Sequence, residues 1–156
     1  MRRRIKNKHP LKAESTYQSE KVAKFINYVM ESGKKQVARK VVYSCLDTIK
    51  TQAKVENPLE LFEAALKNTT PAMEVRSRRV GGANYQVPRE VRPERQRALS
   101  MKWIIEAARS KKGKPIHMKL ADEIIAASKN EGEAIKKREN TIKMAESNKA
   151  FAHFAW

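Results

Sequence analysis

Apolar residues recur at helical spacing along most of this chain, and the pattern changes to strand-like alternation in one place, around a pair of glycines. The first stripe runs from Val22 to Met30, with apolar residues at positions i, i+3, i+4, i+7 and i+8. A second runs from Ala38 to Ile49, and a shorter third from Leu59 to Leu66. Such stripes are typical of amphipathic helices. Because a single helix cannot bury its own apolar face, the sequence predicts a packed helical bundle.

Three more helices follow the glycine pair. Arg92-Pro93 opens the fourth, which is apolar on nearly all sides and is therefore expected to be central. The fifth begins at Pro115, and its inward residues are predicted to be Met118, Ala121, Ile124, Ile125 and Ser128. The sixth, from about 133 to 148, is predicted to bury Ile135, Ile142, Met144 and Ala145 and to direct Lys136, Lys137, Arg138 and Lys143 outward.

The segment from about 73 to 90 consists of two β-leaning runs around Gly81-Gly82. Glycine accepts the positive φ that tight hairpin turns require, so a β-hairpin with its tip at this pair is predicted between helices three and four. The predicted cross-strand pairs are Arg79 with Asn84, Arg78 with Tyr85, Arg76 with Val87, and Glu74 with Arg89. Neither face is apolar enough for complete burial, and an isolated hairpin is marginally stable. We therefore expect an arm that projects from the helical body.

The 156 residues include 34 Lys or Arg against 17 Asp or Glu, a formal net charge of +17. Charge of this size favours a polyanionic partner, either nucleic acid or an anionic membrane surface. The longest apolar run, Ile124 to Ala127, has four residues, so a transmembrane protein is excluded. Residues 1–18 are predicted to be a flexible basic arm, residues 19–148 the helical domain, and residues 149–156 an aromatic C-terminal tail.

Signals of enzyme chemistry are lacking. Cys45 is the only cysteine and falls on the stripe of the second helix, where it is predicted to be a small core residue. No disulfide, metal or cofactor is expected, and phosphate-binding and nucleophile motifs do not occur. Four basic segments, by contrast, resemble a phosphate footprint: the N-terminal arm, the connection at Lys34 and Lys35, the hairpin with the start of helix four, and the loop 111–114. This composition favours folded RNA recognised by shape and backbone.

Particular strings carry a stronger signal. The segments KFINYVMESGKKQVARKVVY, LFEAALKNTTPAMEVRSRRVGGANYQVPREVRPERQRALSMKWIIEAAR and IKKRENTIKMAESNKAFAHFAW closely resemble the bacterial-type ribosomal protein seven of the small subunit. RSRRVGGANYQVP and MAESNKAFAH are the most distinctive parts, and the resemblance is weakest at residues 1–18. Arg89, Asn140, Ile142, Phe154 and Ala155 depart from the usual family pattern.

The resemblance implies a mainly α, single-domain protein: a six-helix bundle with a projecting β-ribbon and basic and aromatic tails. It implies a primary rRNA-binding protein that nucleates the head, or 3′ major domain, of the small subunit. Its place would be the subunit interface, near the exit-site tRNA and the messenger path, beside ribosomal proteins nine and eleven. A cytoplasmic ribosome is expected, with an organellar one as the alternative; neither a membrane partner nor a homo-oligomer is expected.

Site residues follow from the resemblance and the basic segments together. The predicted rRNA contacts are Arg2, Arg3, Arg4, Lys6, Lys8, Lys34, Lys35, Arg76, Arg78, Arg79, Arg92, Arg95, Lys111, Lys112, Lys114, Lys136 and Lys137. The predicted tRNA-proximal residues are Arg78, Arg79, Gly81, Gly82, Asn84, Tyr85, Lys149, Phe154 and Trp156. Two other functions remain as alternatives. An architectural DNA-binding protein would be expected to carry an apolar wedge at the tip of its arm, and an RNA-modifying enzyme would need a catalytic constellation.

Overall fold

The computed structural model describes residues 12–154. The elements are α1 (Glu20–Val29), α2 (Lys35–Ala53), α3 (Pro58–Thr69), β1 (Met73–Val80), β2 (Ala83–Glu90), α4 (Pro93–Ser110), α5 (Ile116–Ser128), α6 (Glu133–Ser147) and a 3-10 helix (Lys149–Phe154). The fold is a mainly helical single domain with an antiparallel hairpin between α3 and α4, which confirms the predicted fold class. The predictions for Arg2, Arg3, Arg4, Lys6, Lys8 and Trp156 lie outside the described residues.

Helix boundaries follow local chemistry. The helix α2 extends beyond the apolar stripe from Ala38 to Ile49 at both ends, and it ends where Lys54 adopts a left-handed conformation with φ +52°. At the start of α3 the Asn57 side chain accepts a hydrogen bond from the Leu59 N–H at 3.2 Å, with Pro58 in the first turn. Glu60 accepts a hydrogen bond from the Asn57 side-chain amide and not from the Asn57 backbone N–H, so the two residues form a modified capping box.

The core lies between α5 and its four neighbours, α2, α3, α4 and α6. Leu120, Ala121, Ile124 and Ala127 of α5 are almost completely buried, so α4, which was expected to be central, shares that position. The Phe25 and Phe62 rings meet edge to face at 5.2 Å and join α1 to α3. Cys45 is buried, as predicted.

Two methionines predicted to be buried are exposed. Met118 (39% exposed) lies in the first turn of α5, and Leu120 takes its place in the core. The inner face of α6 is formed by Ala134, Arg138 and Ala145, at positions i, i+4 and i+11. Met144 (52% exposed) lies beside this face. Arg138, predicted to point outward, therefore points inward and donates to the carbonyl of Asn68 at the end of α3.

The hairpin has the predicted register, with all four expected cross-strand pairs in place. Gly81 and Gly82 both have positive φ, +56° and +90°, as a two-residue hairpin turn requires. The tip is exposed, but both strands pack on α6, β2 also packs on the C-terminal 3-10 helix, and Val87 of β2 is buried. No helix within residues 12–154 is long and apolar enough to cross a membrane.

The described end of the N-terminal arm is anchored to α2. Glu14 is buried and accepts a hydrogen bond from the Tyr43 hydroxyl at 2.7 Å. Arg39 Nε lies 3.1 Å from the same Glu14 oxygen as an ion pair without hydrogen-bond alignment. Tyr17 packs edge to face on Tyr43 at 5.5 Å. The described residues just before α1 are thus fixed to the bundle.

Candidate nucleic-acid interface

Ten of the predicted basic residues of the body lie in segments next to the two ends of α4. At its start is the hairpin patch, which we define as Arg76, Arg78, Arg79, Arg92 and Arg95. At its end is the loop patch, defined as Lys34, Lys35, Lys111, Lys112 and Lys114. The α1–α2 connection lies against the end of α4 there, since both line a cleft of about 290 Å³ and Arg109 Nη2 lies 2.7 Å from Glu31 Oε1. The 18 residues of α4 separate the two patches by about 27 Å.

A buried carboxylate organises the hairpin patch. Glu74 on β1 accepts from Arg76 Nε at 2.9 Å through one oxygen and from Arg95 Nε at 3.2 Å through the other. The arginine side chains remain about half exposed, at 46% and 51%. Arg92, immediately before α4, is exposed and forms no ion pair within residues 12–154. Two arginines of different elements are thus fixed to a single acid.

The upper part of the hairpin divides into a packed and an open portion. Tyr85 lies 5.2 Å from the Phe151 ring and 5.2 Å from the Phe154 ring. Arg78, across from Tyr85, donates to the Phe154 carbonyl. Of the predicted tRNA-proximal residues, Tyr85, Arg78 and Phe154 therefore contact one another, which favours hairpin packing over an open stacking platform for Tyr85.

The open portion is the tip, where the remaining described residues of that set are exposed; these are Arg79, Gly81, Gly82 and Asn84, with Lys149 exposed at the start of the 3-10 helix. A Cβ added to either glycine would have no neighbour within 4 Å. The tip is therefore a narrow surface with no bulky apolar side chain of its own.

The lysines of the loop patch differ in whether a carboxylate holds them. Lys34, Lys35 and Lys112 are exposed and form no ion pair with another described residue. Lys114 Nζ lies 2.9 Å from Asp122 Oδ2. Lys111 pairs with the completely buried Glu123, whose other oxygen accepts from the Ala134 N–H at 2.9 Å. Lys111 thus neutralises a structural carboxylate at the start of α6.

The two lysines predicted on α6 are both paired. Lys137 Nζ donates to Glu106 at 2.8 Å, and this contact holds the pKa of Glu106 below its ordinary value despite partial burial. Lys136 Nζ donates to Glu133 at 2.7 Å, which lowers the pKa of Glu133 and raises that of Lys136. Both carboxylates are therefore ionised at neutral pH and compete with an external anion for these lysines.

Exposed cations without an acidic partner can release counterions when they meet phosphate, and this release drives the salt-dependent part of nucleic-acid binding. Among the described residues that were predicted to contact rRNA, the exposed cations without an acidic partner are Lys34, Lys35, Arg79, Arg92 and Lys112. Arg76 and Arg95 have their Nε atoms engaged but can still present their terminal nitrogens. No group of three metal-ligating side chains lies close together in the described part of the chain.

Sequence reasoning missed the roles of Glu74 and Glu123. Glu74 carried a usable signal, because it is an acid among the basic residues of β1 and its predicted register places it at the base of the hairpin. No sequence signal distinguishes Glu123 from any other acid on a helix, because its burial depends on how the loop before α6 folds over α5.

Known proteins resemble this chain over nearly its whole length. The model of the family described as Ribosomal protein S7p/S5e matches residues 1–149. A small ribosomal subunit protein uS7 of Francisella tularensis subsp. holarctica (strain OSU18) is 52% identical over 155 residues, covering 99% of both chains. The protein of the same name from Phenylobacterium zucineum (strain HLK1) is also 52% identical with the same coverage.

Proposed function

Because the chain belongs to the ribosomal protein S7p/S5e family, and is a structural, non-enzymatic constituent of the small ribosomal subunit, we propose that it is a primary rRNA-binding protein that nucleates folding of the head, the 3′ major domain. A primary binder must recognise RNA without help from other proteins. The described body offers its own contacts, since its unpaired cations are fixed on folded elements.

The observation that carries this proposal is the placement of these cations at both ends of α4. Lys34, Lys35 and Lys112 lie at one end, and Arg92 lies at the other with Arg76 and Arg95. Patches about 27 Å apart can contact RNA segments that are separate in sequence. Holding two such segments in one orientation is what nucleation of an RNA domain requires.

A second part of the proposal concerns the hairpin tip. Its exposed residues Arg79, Gly81, Gly82 and Asn84 reach beyond the packed base, which suits an approach to the exit-site tRNA at the subunit interface, beside the messenger path. Two glycines at the tip allow close approach to a nucleic-acid backbone. We place the protein in the cytoplasmic ribosome, next to ribosomal proteins nine and eleven.

Footprinting tests the rRNA part. The protein is added to naked small-subunit rRNA and, at matched salt, to random duplex DNA. We expect protection confined to the 3′ major domain, at concentrations that leave the DNA evenly and weakly occupied. Equal affinity for the two would contradict primary rRNA binding and would favour an architectural DNA-binding protein.

Mutation separates the body from the tip. Deleting residues 79–84 is expected to leave rRNA affinity within about tenfold, or ~1.4 kcal/mol, while reducing exit-site tRNA retention on assembled subunits. Changing Lys34, Lys35, Arg92 and Arg95 together to Ala should weaken rRNA binding much more, because each lost phosphate contact also forfeits counterion release. The division of roles is wrong if the tip deletion abolishes head assembly or if the fourfold variant binds normally.

A further inference from the structure

We propose that Glu74 is a positioning residue that holds Arg76 and Arg95 together as a preformed two-arginine clamp for one rRNA phosphate group. This inference rests on the proposed function, because it assumes that the hairpin patch contacts rRNA. Glu74 itself would not touch the RNA. It would act through the orientation of the two guanidinium groups.

The geometry assigns one carboxylate oxygen to each arginine. Arg76 Nε is 2.9 Å from Oε1 and Arg95 Nε is 3.2 Å from Oε2, so both guanidinium groups converge on one carboxylate. A hydrogen bond at Nε leaves the two terminal nitrogens of each guanidinium available for a phosphate. The side chains are 46% and 51% exposed, whereas that of Glu74 is only 10% exposed. The carboxylate thus lies beneath the cations.

Two opposing effects of Glu74 on phosphate binding can be compared. Its negative charge offsets part of the charge of the arginines, although two cations and one anion still leave a net charge of +1. Against this, an arginine side chain has many rotamers in solution and loses part of that rotamer entropy on binding RNA. A carboxylate that fixes both side chains beforehand removes part of that cost. If charge dominates, removing Glu74 tightens rRNA binding; if positioning dominates, removing it weakens binding.

Glu74→Asp and Glu74→Gln test this difference. Aspartate keeps the charge but cannot reach both Nε atoms, and glutamine can accept through only one of its two terminal atoms. We expect each variant to raise the Kd for naked small-subunit rRNA by roughly three- to tenfold. Glutamine should do so although it makes the protein more positive. Binding equal to or tighter than wild type in both variants would overturn the proposal.

Glu90 supplies the matched control. It lies on the same hairpin, is exposed and forms no ion pair within residues 12–154. Glu90→Asp should leave the Kd unchanged, and Glu90→Gln should leave it unchanged or slightly lower. If Glu90→Gln weakens binding as much as Glu74→Gln, positioning by Glu74 is contradicted.

A double variant separates this proposal from the proposed function. If Arg76→Ala with Arg95→Ala leaves rRNA affinity intact, the hairpin patch is not an rRNA site and both proposals fail there. If that variant weakens binding but Glu74→Asp does not, only the positioning role fails. Adding Glu74→Asp to the double variant should cause no further loss, because no side chain remains to be positioned.

A Glu74 variant could also loosen the hairpin base. Arg95→Lys tests the same clamp while Glu74 stays unchanged. Lysine keeps the positive charge, but its single ammonium group cannot bind Glu74 and a phosphate at the same time as a guanidinium fork can. It should weaken rRNA binding by a similar factor while the Val91 N–H, bonded to the Ala72 carbonyl at 3.1 Å, keeps its exchange protection. Wild-type affinity in Arg95→Lys would count against the clamp.

Discussion

Single cations on this surface differ chiefly in whether a carboxylate of the same chain already holds them. Lys34 and Lys35 are exposed without an acidic partner among the described residues, whereas Lys136 and Lys137 are tied to Glu133 and Glu106. A paired lysine must exchange a carboxylate for a phosphate on binding RNA, so its net contribution to the free energy of binding is smaller. The sequence could indicate the pair of Lys136 with Glu133, which lie three residues apart on one helix, but not that of Lys137 with Glu106, which lie 31 residues apart along the chain.

Gly132 offers a residue-scale test of the buried carboxylate at the start of α6. Its φ is +97° and its ψ 173°, a conformation that only glycine adopts readily, and an added Cβ would lie 2.8 Å from Glu123 Oε1. Gly113 is the control: its φ is +91°, but an added Cβ would have no neighbour within 4 Å. Gly132→Ala should therefore lower the free energy of unfolding by at least about 1 kcal/mol more than Gly113→Ala, because overpacking adds to strain. Urea denaturation measures the free energy of unfolding of both variants. Equal losses would mean that the close approach of the added Cβ to Glu123 does not destabilise the protein.

Cys45 is expected to be chemically inert in the folded protein. Burial raises the pKa of its thiol to about 12, so almost no thiolate exists at pH 8. A maleimide or aromatic disulfide reagent should react only after the protein is unfolded in guanidinium. Cys45→Ala should keep wild-type affinity for rRNA, in line with a packing role. Rapid labelling of the native protein would show that the thiol is reachable.

Among the elements, the hairpin depends most on its neighbours. Its register and turn could be predicted because alternation and the glycine pair are local signals. Its packing could not, since Phe151 and Phe154, which meet Tyr85, lie more than sixty residues further along the chain. The helix α6 could be predicted from the sequence, but its inner face could not. The small residues Ala134 and Ala145, which let Arg138 face inward, have a weaker periodic signal than Met144 and Ile142.

Removing the aromatic contacts of the 3-10 helix should loosen the hairpin selectively. Phe151→Ala with Phe154→Ala deletes both rings that flank Tyr85, and each aromatic pair contributes about 0.5–1.5 kcal/mol beyond burial. Amide exchange around Tyr85 should accelerate, while α2 and α5 keep their protection. Met144→Ala, which truncates an exposed side chain on α6, should leave hairpin exchange unchanged. Similar exchange in the double variant and in wild type would mean that the hairpin orders itself without this helix.

For the whole molecule, the formal charge of +17 indicated a polyanion, and the fold determines where that polyanion can bind. Charge that is scattered over three described segments of the sequence becomes two patches at opposite ends of α4. Composition alone could not place them, because the α1–α2 connection and the end of α4 meet only through the packing of the helices. We therefore expect unpaired cations on this body, rather than net charge, to carry rRNA binding.

The salt dependence of rRNA affinity tests this expectation. It is compared between two variants that each remove two positive charges. Lys34→Ala with Lys35→Ala deletes two unpaired lysines, and Lys136→Ala with Lys137→Ala deletes two that carboxylates hold. Each lost phosphate contact reduces the slope of log K against log salt by about 0.7 to 0.9. The first variant should therefore flatten the slope by about 1.5 and the second by less than about half a unit. Equal slopes for the two variants, or an unchanged slope in the first, would contradict the account.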